Sequence, residues 1–200
     1  MSIIYRTSNL NRSSKLFKYI MLYQKLRIPE NYTYHCNWHI LYVYEKSIEI
    51  AKNLHISKSE LELVKLAAIT HDIGNCVSRE NHEELGCIWV RENFPLFGFT
   101  KDEIDVVCGI IMATKIPQMP TTLLQKIVAD ADLFYLGTND FKAQGDLLYK
   151  ELSFDSPKLN RKMWNKIQIN FMNAHTYHTE YCIRKNEAKK QANLQSLLYN

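Results

Sequence analysis

Apolar side chains in this chain recur every three or four residues, and nowhere do they alternate with polar ones for long enough to make a strand. A three-to-four spacing lines up one stripe of a helix but scatters over both faces of a strand, so the chain is restricted to helices. Helix starts are also marked. Ser57-Lys-Ser-Glu60 and Thr100-Lys-Asp-Glu103 read as capping boxes, in which hydroxyl and carboxylate satisfy backbone donors that the helix start leaves open. The first opens a helix with Leu61, Val64, Ala68 and Ile69 on one face, which runs into His71-Asp72 and stops at Gly74. The second leads into Ile104, Val107 and Ile111. Ser156-Pro157 reads as a cap with proline in the first turn of a helix through Trp164, Ile167 and Phe171. Further patterns predict helices near 38–54, 80–93, 122–136, 139–152 and 174–198, with turn signals at 95–98, 117–120 and Gly137. The expected fold class is all-α, an irregular helical bundle.

The 200 residues suit one domain with a sizeable core. No run approaches the ~18 apolar residues of a membrane span; stretches such as 66–69 and 106–112 are core-sized, so no membrane association is expected. Five cysteines, Cys36, Cys76, Cys87, Cys108 and Cys182, are odd in number and lack a Cys-x-x-Cys pair. They read as buried free thiols in a reducing cytoplasm, and the expected localisation is cytoplasmic. The net charge of +4 is uneven: residues 1–29 hold Arg6, Arg12, Lys15, Lys18, Lys25 and Arg27 and no acid, leaving 19 basic against 21 acidic residues elsewhere. An acid-free start can mimic a transit peptide, but Leu16, Tyr19, Ile20 and Tyr23 sit at helical spacing and favour a docked amphipathic helix. So small a charge does not argue for nucleic acid as a partner. Lys185, Lys189 and Lys190 read as a solvated face of the last helix. Whether the chain forms a homo-oligomer is left open.

Three positions carry candidate chemistry. Tyr34-His35-Cys36-Asn37-Trp38-His39 opens one helix, Thr70-His71-Asp72-Ile73-Gly74 closes the next, and Asp130-Ala131-Asp132-Leu133 lies on a later, otherwise apolar helix. A carboxylate and an imidazole at the end of an apolar helix are costly to bury unless paired or bound to a metal. One divalent cation would answer for all of them, and a nitrogen and oxygen donor set suits Mn, Mg, Ni, Fe or Zn. Any one of these groups alone reads more readily as a satisfied histidine or a capping acid than as a ligand; the order His, His-Asp, Asp is what points to a metal. Asp130 and Asp132 are two apart, so they diverge by about 200° and flank the apolar stripe symmetrically. Periodicity does not choose between them.

These residues resemble the HD superfamily of metal-dependent phosphohydrolases, which takes its name from the doublet standing here as His71-Asp72. The resemblance covers roughly residues 30–140, with weaker echoes to the end, and implies a single HD-type domain over 1–200. Its motif-bearing core lies at about 30–140, with a helical extension at 1–29 and a helical part at 141–200. It implies His39 as first ligand and Asp132 as last, because the closing acid of the superfamily commonly follows Ala and precedes a bulky residue. Asp130 is then an outer or solvent-facing acid. Tyr34-His35 followed by His39 is similar to the opening of cyclic-nucleotide phosphodiesterases, which implies His35 as proton donor. The stretch 113–120, with Asp130-Ala-Asp-Leu and Leu136-Gly137, is similar to small stand-alone bacterial members.

Two positions depart from the pattern. Cys36 stands where Asn usually follows the first His. Where nucleotide-cleaving relatives place an acid after the doublet, this chain has Gly74, Asn75 and Cys76; the nearest ionisable groups are His82, Glu83 and Glu84. The resemblance implies metal-assisted hydrolysis of a phosphate ester of a nucleotide or similar small metabolite, with His35 or His82 as proton donor and Lys115 as a phosphate anchor. His175 and His178, three apart on the last predicted helix, are ligands only if that helix folds over the site, and otherwise partly buried; His55 reads as exposed. Two other readings stand beside this one: a catalytically silent metal-bound sensor or scaffold, and a metal-free helical interaction module.

Overall fold

The computed structural model describes residues 2–198, with side chains from residue 12 onward; the side chain of Arg6, counted above in the basic segment, lies outside the described residues. The fold is all-α. In chain order the helices are α1 (Ser2–Arg27), α2 (Asn37–Lys52), α3 (Lys58–Thr70), α4 (His82–Asn93), α5 (Lys101–Met112), α6 (Leu123–Asp132), α7 (Phe141–Asp155), α8 (Arg161–Ala174) and α9 (Glu180–Leu198). Short 3₁₀ turns at 73–76, 94–97 and 134–137 join them. Both expected capping boxes form, at Ser57/Glu60 and Thr100/Glu103, and a third at Thr122/Gln125 starts α6.

The core lies among α1 to α6. Helix α2 packs on α3 and α6, and α3 and α4 on α5. Helix α3 is buried on nearly every side of its second half, from Leu66 to Thr70, so it is the central strut of the bundle. The N-terminal helix docks as expected: Leu16 and Ile20 are fully buried, each worth roughly 1.5–3 kcal/mol. Gln24 donates to the Ile69 carbonyl at 2.6 Å, and Arg12 pairs with Glu103. A second apolar cluster, with Tyr34, Leu136, Phe141, Met172 and Leu194, joins α7, α8 and α9 to the turn at 134–137.

Several boundaries differ from expectation. Helix α6 ends at Asp132, not 136. Helix α8 starts at Arg161 under an Asn160 cap, whose side chain accepts from the Met163 amide, so Ser156-Pro157 belongs to the turn after α7. Helix α9 begins at Glu180; Thr179, not a residue near 174, caps it by accepting from the Cys182 amide. The polar face of α9 is also not simply solvated. Asn186 donates to the Phe134 carbonyl, Asn193 to those of Leu136 and Thr138, and Lys190, 2% exposed, to that of His175. Carbonyls of the irregular turn that follows α6 need donors, and α9 supplies them. Gly137 makes room: a Cβ there would meet the Asn186 carbonyl oxygen at 2.4 Å. Among the described residues no helix is long and apolar enough to cross a membrane.

Candidate metal centre and its cavity

Four side chains from three helix ends converge. His39 lies in the first turn of α2, His71 caps the C-terminus of α3, Asp72 follows it, and Asp132 is the last residue of α6. His39 Nε2 stands 3.1 Å from Asp132 Oδ1, 3.4 Å from His71 Nε2 and 3.6 Å from Asp72 Oδ2. His71 Nε2 is 3.4 Å from Asp72 Oδ2 and 3.5 Å from Asp132 Oδ1. Two donors each ~2.1 Å from one ion would stand ~3.0 Å apart at a right angle and ~3.4 Å apart at the tetrahedral angle. The spacing therefore fits a single first-row divalent cation.

The chemistry of these groups fits as well. The His71 Nδ1–H donates to the Ala68 carbonyl at 2.8 Å, which turns Nε2 to the cluster as the atom that would ligate an ion on losing its proton. Asp72 Oδ2 is buried without a hydrogen-bond partner, a costly state that a cation relieves. Burial alone would raise both carboxyls, yet the facing histidines hold Asp72 and Asp132 low. Burial disfavours charge on the histidines too. In His39 it prevails and the pKa falls; in His71 the two carboxylates override it and push the pKa up to about 9. Two buried anions thus hold one imidazole charged, and a dication would take over that compensating role. The histidine, histidine and aspartate group of His39, His71 and Asp72 could hold a metal ion.

His71, Asp72 and Asp132 line a cavity of about 240 Å³, together with His35, His82 and Glu83. The His82 Nδ1–H donates to the Arg79 carbonyl at 3.1 Å, and its Nε2 lies 3.4 Å from Asp72 Oδ1. Burial opposes its charge, but the Asp72 contact outweighs this and raises its pKa. Gly74 permits the approach. A Cβ there would stand 1.9 Å from the His82 carbonyl oxygen, so only glycine lets the start of α4 close over the doublet. Its role is this close contact, not the helix stop the sequence suggested.

His35 is held by a residue the sequence did not single out. Its Nδ1–H donates to Glu151 Oε1 at 2.6 Å, while Glu151 Oε2 accepts from the amides of Tyr34 and His35 at 2.8 and 3.0 Å. Arg79 donates to the same carboxylate at 2.6 Å and to Asp155. Glu151 is fully buried; desolvation would raise its pKa, but the His35 contact brings it down to about 2. The available signal was its place on the α7 stripe with Gln144 and Leu148, at i, i+4 and i+7.

Other sequence candidates lie elsewhere. Lys115 bonds Glu84 at the surface and does not line the cavity. Asp130 is neither solvent-facing nor in contact with a candidate ligand: it is fully buried and accepts from the amides of His178 and Thr179 and the Thr179 hydroxyl, anchoring the start of α9. His175 and His178 are partly buried in the connection before α9, not on it, and line a separate small pocket with Ile116 and Gln118. His55 is exposed.

An all-helical bundle with histidines and aspartates gathered from three helix ends defines a class of metal-centred helical domains. Residues 38–135 match the HD domain family, so the chain carries an HD domain over those residues. Among solved structures it is similar to a predicted HD superfamily hydrolase from an uncultured Thermotogales bacterium. That match has 20% identity and a TM-score of 0.62 and covers 91% of this chain and 89% of that one. No curated protein matches it.

Proposed function

We propose that the chain is a metal-dependent phosphohydrolase that cleaves a phosphate ester of a small organic molecule, a nucleotide or similar phosphorylated metabolite. The observation that carries this reading is the convergence of His39 and His71, whose Nε2 atoms lie 3.1–3.6 Å from each other and from carboxylate oxygens of Asp72 and Asp132, against a cavity that His35 also lines. His39, His71, Asp72 and Asp132 would hold the ion. When bound, it would supply Lewis acidity toward a phosphoryl oxygen and lower the pKa of water.

The chain's own groups have distinct tasks. Glu151 fixes the His35 ring through Nδ1, so Nε2 is the atom that delivers a proton to the leaving ester oxygen as the P–O bond breaks. Glu83, buried at the cavity edge with Oε1 3.5 Å from His82 Nε2, stands in for the acid missing after the doublet. It accepts a proton from the attacking water. His82 steadies Asp72 from the side away from the cluster. Five free thiols accord with the cytoplasmic placement we assign.

The test is hydrolysis by purified protein supplied with Mn²⁺, Mg²⁺ or Ni²⁺, against nucleotides, cyclic nucleotides and an aryl phosphate. Turnover that chelator abolishes and metal restores is expected. Folded, metal-loaded protein that turns over none of them would overturn the reading in favour of a metal-bound scaffold, which Gly74, Asn75 and Cys76 at the usual acid positions would then explain.

A further inference from the structure

The cavity has two unlike halves. Opposite the histidines and carboxylates, its wall is mostly apolar, with Leu148 and Leu152 from α7, Trp164, Ile167 and Phe171 from α8 and Ile116 at the rim, and Gln168 of α8 as a polar exception. Among the described residues no lysine or arginine lines it. The two nearby cations are already engaged, Lys115 by Glu84 and Arg79 by Glu151 and Asp155. Asp72 and Asp132 together balance one dication, and Glu83 adds a further negative charge. A chain of phosphates would bring several more negative charges to a site whose other cationic groups are histidines. A sugar would set most of its hydroxyls against aliphatic and aromatic carbon, where the Gln168 amide cannot serve them all and unmade hydrogen bonds are costly.

We infer that the cavity takes an ester in which one phosphoryl group is joined to a compact, predominantly apolar organic group, aromatic or branched, and that it discriminates against polyphosphates and sugar phosphates. This rests on the hydrolase reading above and narrows its small phosphorylated molecules to esters without a sugar, which sets nucleotides aside. The wall excludes water around the organic group and binds it by burial, while the metal end fixes the phosphoryl. Trp164 adds one polar requirement. It is 4% exposed, and its buried Nε1–H has no acceptor in the protein, so an acceptor on the organic group would satisfy it.

The test separates binding from turnover. Metal-loaded protein is titrated calorimetrically with 1-naphthylmethylphosphonate, methylphosphonate and the β,γ-methylene analogue of a nucleoside triphosphate, none of which needs to be cleaved. The naphthyl compound should bind at least roughly tenfold more tightly than the other two. Ile167→Asp, at a position 47% exposed, should fold normally and reduce the naphthyl-to-methyl affinity ratio by about tenfold; Ile116→Asp, at the rim, repeats the test from the other side. Equal affinities, tighter binding of the triphosphate analogue, or an unchanged ratio in both variants overturns the inference. In parallel, 1-naphthyl phosphate, a hexose 6-phosphate and a nucleoside triphosphate are assayed for turnover. Selective naphthyl binding without hydrolysis of any ester would sink the hydrolase reading and leave the cavity assignment standing. Faster hydrolysis of the triphosphate or hexose phosphate would do the reverse.

Discussion

Asp130 and Asp132 show how a single residue's role is decided by what lies across from it. Both flank the same stripe of α6, and helical geometry treats them alike. Asp132 meets His39 and His71; Asp130 meets the amides and hydroxyl that start α9. Their asparagine variants should therefore part company. Asp132→Asn is expected to lose bound metal, measured by elemental analysis, with little change in folding. Asp130→Asn should keep its metal and lose about 1–3 kcal/mol of stability in denaturant; metal loss from the Asp130 variant alone would reverse the assignment. The residue scale was also where the sequence said most. Ionisable groups on apolar helices stand out against their surroundings, which drew attention to His71-Asp72 and to Asp130 and Asp132; the family resemblance implied His39 and Asp132 as the further ligands, and the structure brings these four together. Glu151 did not stand out, since one glutamate in an amphipathic helix looks like any solvated one until its partner is known. Glu151→Gln should leave metal in place, slow turnover about 10–100-fold and alter the pH profile of the rate. An unchanged profile would remove Glu151 from the positioning of His35.

Elements were legible where their ends carry local chemistry. The Ser57 and Thr100 boxes marked the starts of α3 and α5 to the residue, because capping is a contact between neighbours in sequence. The start of α9 is set by Thr179 and by Asp130, forty-nine residues earlier, so no local pattern could place it. Pro157 misled for a related reason: a serine-proline pair suits a turn as well as a cap, and the choice fell to Asn160. Gly74 is the element-scale control on the site, because it sets how closely α4 approaches the doublet. Gly74→Ala would drive a Cβ into the backbone of His82, not into a flexible side chain, so α4 must move. The expected result is a loss of more than about 2 kcal/mol of stability. Turnover should fall further than the folded fraction does, since His82 and Glu83 ride on the displaced turn. A variant with parental stability and rate would show that this approach is not needed.

At the scale of the whole molecule, the 141–198 half forms much of the cavity wall, and the sequence could not say so. Its apolar stripes at Leu148, Leu152, Trp164 and Phe171 are what any core-facing helix shows, and whether such a stripe meets core or cavity depends on distant contacts. Beside the apolar cluster around Leu136, buried and partly buried polar contacts tie that part to the rest, and these make it sensitive to acid. Glu49 of α2 accepts from Lys185 and Tyr181 of α9 at 2.5 and 2.7 Å, and Glu151 of α7 holds the amides before α2. Burial would raise both carboxyls; their partners bring each down from 4.5 to about 2. A carboxyl whose pKa is lower in the folded state adds stability that is complete above its unfolded value and lost on the way down to the folded one, here between about 4.5 and 2. His175 contributes earlier. Burial and the Lys190 charge lower its pKa from 6.5 to about 4, so the unfolded chain gains a proton the folded one refuses, and stability falls as pH drops through that range. The C-terminal helices should therefore loosen first, beginning below about pH 6 and completing near pH 2. Amide hydrogen exchange should show α9 losing protection at a higher pH than α3. His175→Gln, which cannot take up the proton, should remove the upper part of that loss, whereas simultaneous loss of protection in α3 and α9 would mean that the two halves fold as one unit.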